Sequence, residues 1–158
     1  MRRLFPQRHA HSLNFELSEP EDALYQAVTS YVREGMNRAA RMQEEGDKRR
    51  GIMVGFALAG LQRRLASSPA AIYHSLRRRT ERLKKQADEL RHLAATGEPI
   101  PIMELPKGVR IGDLEDFDFD DYADDELENL EDFVIDAASA AATAEELDIE
   151  VAELEVLV

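Results

Sequence analysis

The chain has 158 residues, a formal net charge of −12, no Cys and no Trp, and a third of its residues (33 %) are charged. That length suits one ordinary domain, while zero cysteines exclude a disulfide scaffold and any thiolate metal site and fit a reducing compartment. "MRRLFPQRH" has no apolar run behind its basic residues, and the longest apolar stretch, the eleven residues of "GIMVGFALAGL", is far short of the ~20 that span a bilayer. A soluble cytoplasmic protein with no membrane partner is expected.

Charge divides the chain at Gly97. Residues 1–97 hold eighteen Lys and Arg against eleven acids, and residues 98–158 hold two against twenty-one. The overall charge therefore hides a dipolar molecule. Its positive end is densest in "RRLASSPAAIYHSLRRRTERLKK", residues 63–85, where eight cations meet one acid, Glu81.

Residues 8–17, "RHAHSLNFEL", alternate with strand periodicity, His9, His11, Leu13, Phe15 and Leu17 on one side. No partner strand is evident, so the sheet is expected to lie outside this chain. "SEPE" then reads as a helix start: Ser18 caps, Pro20 fits the first turn, and Glu21 completes a capping box. Leu24, Val28, Tyr31, Val32, Met36, Ala39 and Met42 follow at helical spacing as far as Gly46. A second helix over about 49–66 is apolar on most sides at its start and forms the expected buried centre.

"SSP" opens a third helix, Pro69 to Thr96, about 42 Å long at 1.5 Å per residue, which Gly97 should end. Ile72, Leu76, Thr80, Leu83, Ala87, Leu90 and Ala94 form a near-heptad seam along it. Residues 98–123, rich in Pro, Gly and then acid, read as a flexible linker. From Asp124 a last helix is expected to run unbroken to Val158. Its seam is Leu127, Leu130, Val134, Ala137, Ala141, Ala144, Leu147, Val151, Leu154 and Val158.

The expected fold is all-α: a helical bundle with a long antiparallel coiled-coil hairpin and one short N-terminal β-strand. Its parts are a strand plus two-helix base over 1–66, a basic coiled-coil helix over 67–97, the linker over 98–123, and an acidic heptad helix over 124–158. The orphan strand and the uncapped apolar end at "ELEVLV" suggest a fragment of a larger protein.

No phosphate-binding loop is present. Asp116, Asp118 and Asp120 are spaced like calcium-loop ligands, but Asp121 replaces the glycine and Leu127 the final glutamate, so the match fails. His9 and His11 lack a third ligand, and His74 and His92 lie eighteen residues apart. No catalytic residue and no metal site is assigned. The candidate nucleic-acid-binding residues are Arg63, Arg64, Arg77, Arg78, Arg79, Arg82, Lys84 and Lys85. Among them Arg78, Arg82 and Lys85 form an i, i+4, i+7 stripe that suits phosphate contact without base reading. Pairing with the acidic helix of the same chain is the equal alternative.

The stretch "RRLFPQRHAHSLNFELSEPEDALYQAVTSYV" resembles the segment after the first ATPase lobe of Swi/Snf-type helicase-like ATPases. The matching positions are Phe5, Pro6, Arg8, Leu17, Ser18, Glu21, Leu24, Tyr25, Val28, Tyr31 and Val32. "GFALAGLQRRLASSPAAIYHSLRRRTERL" is similar to the helical insert of bacterial members, including phage-defence helicases of the DISARM type. The resemblance covers roughly residues 1–85. It implies an accessory insert between two lobes of an ATP-dependent DNA translocase, with ATP and Mg bound by the parent's lobes and not by this chain. Its implied partners are those lobes and nucleic acid, most simply duplex DNA. The alternatives are a structural coiled-coil interaction module and an acidic DNA mimic that inhibits DNA-binding enzymes.

Overall fold

A computed structural model describes residues 16–115 and 124–158. Within them the chain forms six helices and no strand: α1 Glu19–Glu44, α2 Lys48–Ser67, α3 Pro69–Thr96, α4 Ile111–Glu115, α5 Asp124–Ala137 and α6 Ala144–Leu157. Most of the strand expected over 8–17 lies outside the described residues, as do the Asp116, Asp118 and Asp120 run and the His9 and His11 pair.

The local chemistry sets the first three helices. Ser18 and Glu21 close a reciprocal capping box on α1, with Ser18 N donating to Glu21 Oε2 at 2.9 Å and Glu21 N to Ser18 Oγ at 3.4 Å. Ser68 caps α3 by accepting from Ala71 N at 3.3 Å, and Pro69 occupies the first turn. Gly97 ends α3 with φ +74°, a left-handed conformation that side-chain-bearing residues adopt only with strain.

Helices α1 and α2 form an antiparallel hairpin. At Gly51 they approach so closely that a Cβ would sit 2.7 Å from the carbonyl oxygen of Ala39, so glycine is required there by backbone proximity. Helix α2 is the centre of the core, with Ile52, Met53, Val54, Phe56, Ala57, Leu58 and Leu61 all buried. Each large aliphatic removed from water in this way contributes about 1.5–3 kcal/mol. From α3, Ile72, Leu76, Thr80, Leu83 and Ala87 join it. The α3 seam leaves the core before its end, since Ala94 is exposed.

The single helix expected over 124–158 is two helices. The chain breaks at 138–143, although its run of alanines favours helix. Tertiary hydrogen bonds override that preference: Arg50 of α2 donates through Nε to Ser139 O at 3.2 Å and through Nη2 to Ala141 O. Thr143 then restarts the helix, its hydroxyl accepting from Glu146 N at 3.2 Å. The expected two-helix hairpin is consequently a bundle. Helix α6 packs against α3, joined to it by the Arg79–Glu150, Lys84–Glu155 and Arg91–Asp148 pairs, while α5 packs against both α2 and α3.

The expected linker is partly docked. Met103, Leu105, Val109 and Ile111 pack on the core, Leu114 of α4 is buried, and Arg49 Nη2 donates to Met103 O at 2.8 Å. Among the described residues no helix is long and apolar enough to cross a membrane.

Candidate functional site

The segment's positive charge meets the acidic half of the chain at two places. At the first, α5 presents Glu131, Asp132 and Asp136 to arginines of α2 and α3. Arg64 Nη2 lies 2.6 Å from Asp132 Oδ1, and its Nη1 donates to Ser75 Oγ at 2.6 Å. Arg78 takes the same Asp132 oxygen at 2.7 Å and reaches Asp136 Oδ2 at 3.3 Å. Arg63 pairs with Glu131, whose side chain is only 2 % exposed.

This first cluster is not fully satisfied. Among the described residues Glu131 Oε1 and Asp136 Oδ1 are buried with no hydrogen-bond partner. Burial pushes the Asp136 carboxyl above its ordinary pKa, Arg78 opposes that, and Asp132 adds to it.

At the second place a network closes on Arg79, whose side chain is 1 % exposed. Its Nη2 lies 2.8 Å from Glu150 Oε1, its Nε donates to the Tyr31 hydroxyl at 2.9 Å, and its Nη1 donates to Ile135 O at 2.5 Å. Tyr31 in turn donates to Glu150 Oε1 at 2.6 Å, and Ser139 donates to Glu150 Oε2. Ala141 N donates to Ser139 Oγ at 3.0 Å, which ties the α5–α6 corner to the same network. Burial favours the neutral form of Glu150, but Arg79 and the hydroxyls of Ser139 and Tyr31 outweigh it and hold the pKa below 4.5. Burial keeps the Tyr31 phenol protonated well above its ordinary range, against the pull of Arg79. A shallow recess beside the network, lined by Tyr31, Gly35, Arg38, Glu150 and Glu153, has room for about one water molecule.

Chemically the second network is a clamp. One carboxylate accepts from a guanidinium and two hydroxyls and so fixes α1, α3, α6 and the corner before α6 at a single point. Among the described residues no group of three or more His, Asp and Glu is placed to hold a metal ion.

The eight candidate cations therefore separate. Arg63, Arg64, Arg78, Arg79 and Lys84 face carboxylates of α5 or α6. Arg77 pairs with Glu81 on its own helix at 3.5 Å. Arg82 and Lys85 are exposed and make no ion pair among the described residues. The Arg78, Arg82 and Lys85 stripe is thus divided, its first member turned to α5 and the other two to solvent.

Sequence reasoning missed Glu131, Glu150 and Arg50. The signal for Glu150 was its register: it lies three residues after Leu147 and four before Leu154, on the face that enters the core. Arg79 stands in the same relation to Leu76 and Leu83. No protein-family model, no curated protein and no solved structure matches this chain.

Proposed function

We propose that this chain is a non-catalytic helical interaction module, an accessory insert of the kind that would link the two lobes of a Swi/Snf-type ATP-dependent translocase. The observation that carries this reading is the use of the basic segment. Five of its eight cations are engaged by carboxylates of α5 and α6, so its positive charge serves to hold the acidic helices in place. What the module offers a partner is then a braced helical bundle with an excess of negative charge. ATP and Mg belong to the lobes of the resembled parent.

The exposure of Arg82 and Lys85, with Arg77 on the same helix, favours a second and weaker reading in which the outer side of α3 touches nucleic-acid phosphates. The two readings differ in charge count. A fluorescence-anisotropy titration of the chain with a short duplex DNA at several salt concentrations separates them. Contact through Arg77, Arg82 and Lys85 alone gives a log–log salt slope no steeper than about −2.7, with affinity in the non-specific range of about 10⁻⁴ to 10⁻⁶ M. The module reading predicts no saturable binding of the duplex in that range, and a slope near −7, which all eight cations would give, overturns it.

A further inference from the structure

Between the α3 cap and the point where the connector docks lies a short segment, Glu98-Pro99-Ile100-Pro101-Ile102. All five residues are exposed, and the two isoleucines strongly so, Ile100 at 62 % and Ile102 at 76 %. They are among the most exposed large aliphatics of the described residues and stand two positions apart. The segment is nevertheless held at both ends. Gly97 N donates to Leu93 O at 2.9 Å on one side, and on the other Met103 and Leu105 turn into the core with Arg49 on the Met103 carbonyl.

The alternation of proline and isoleucine gives the segment a defined chemistry. Each proline fixes its own φ and pushes the residue before it toward extended backbone. Glu98, Ile100 and Ile102 fall at the period of two that characterises a strand, and in that conformation they share one face. Their backbone N–H groups also share one edge. The opposite edge belongs to Pro99 and Pro101, which have no N–H to give. Among the described residues neither Ile100 nor Ile102 makes a backbone hydrogen bond. The segment, irregular between its two anchored ends, is thus biased by its prolines toward extended backbone with one usable edge, which lowers the entropy cost of binding.

We propose that residues 98–102 dock on a partner protein by strand addition, pairing the Glu98, Ile100 and Ile102 edge with an exposed sheet edge of that partner. Ile100 and Ile102 enter aliphatic pockets there. The exposed carboxylates of Glu98 and Glu104, which make no ion pair among the described residues, flank the two isoleucines and select a partner whose pockets have a basic rim. The period of two disfavours a polyproline groove, which reads prolines three residues apart. The blocked proline edge limits pairing to one neighbour and so prevents open-ended stacking.

The test uses the full chain, expressed in its own cells with a photo-crosslinking amino acid in place of Ile102. The protein recovered in the adduct is purified and titrated by calorimetry against the unmodified chain and against an Ile100→Ser, Ile102→Ser variant. Both substitutions lie on exposed positions, and unchanged circular dichroism and melting verify that the variant folds. Strand addition predicts at least tenfold weaker binding by the variant. It also predicts at least tenfold slower amide exchange at Ile100 and Ile102 when the partner is bound. No adduct at position 102, an adduct formed only with a second copy of this chain, binding of the variant within twofold of the unmodified chain, or binding without amide protection at these two residues each overturns the proposal.

Discussion

Arg79 and Glu150 form an ion pair at 2.8 Å with both side chains almost completely withdrawn from solvent, 1 % and 7 % exposed. Such a pair is costly to break and cheap to replace, because removing one partner strands the other charge in a medium that cannot solvate it. Arg79→Met should destabilise the chain by about 3–5 kcal/mol, and the double variant Arg79→Met, Glu150→Met should recover most of that loss. Urea unfolding of the two variants checks it. If the double variant is no better than the single one, the network contributes through its hydroxyl partners and not through the charge pair.

The pH dependence follows from the sign of the Glu150 shift. Its pKa is depressed in the folded chain, so its contribution is complete above the ordinary value of 4.5 and is lost as pH falls below it. The melting-temperature difference between the chain and Glu150→Gln should therefore be largest near neutral pH and shrink through the acid range below 4.5. A difference that stays constant down to strongly acid pH would place the stabilising charge elsewhere.

Asp136 has the opposite sign. Its folded pKa is raised, so ionisation works against folding as pH rises through the ordinary aspartate range near 3.8 toward the raised value, and the penalty is complete above that value. One of its oxygens has no partner to lose. Asp136→Asn should therefore be neutral to stabilising at pH 7, by under about 1 kcal/mol, with the gain disappearing in acid. Chemical denaturation at the two pH values reads this out, and a clear loss at pH 7 would show that the Arg78 contact outweighs burial.

The α5–α6 corner depends on a residue far away in sequence. Arg50 holds the carbonyls of Ser139 and Ala141, which the broken helix leaves without intrahelical donors. Arg50→Ala should cost about 1–3 kcal/mol by leaving those acceptors unsatisfied. Backbone chemical shifts of 138–143 should show the largest changes in the variant. Unchanged shifts there would mean the corner is set by Ser139 and Thr143 alone.

Much of the first hundred residues was legible because its determinants are local. Ser18 with Glu21, Ser68 with Pro69, and Gly97 each announce a helix boundary in three or four letters, and the structure places the boundaries there. The all-helical bundle was legible for the same reason, from sustained seams such as Ile72, Leu76 and Leu83. The break before α6 was not. Ser139 and Thr143 stand among alanines that fit a helix equally well, and what ends the helix is Arg50, eighty-nine residues earlier. The basic segment was legible as a feature but ambiguous in its use, since a row of arginines looks the same whether it awaits phosphates or carboxylates. Only the packing of α5 beside Arg63, Arg64 and Arg78 distinguishes them.

The central claim is that the basic segment braces the acidic helices into one cooperative unit with α2 and α3. Native-state amide hydrogen exchange over a denaturant series tests it most directly, because it reads the opening free energy of each helix separately. The account predicts that the slowest amides of α5 and α6, around Val134, Ile135, Val151 and Leu154, merge with those of α2 and α3 in a single global opening. It also predicts that they remain within about 1 kcal/mol of it. Exchange of α5 and α6 through a separate opening several kcal/mol below that of α2 and α3 would contradict the account, leaving the arginines free to serve another partner.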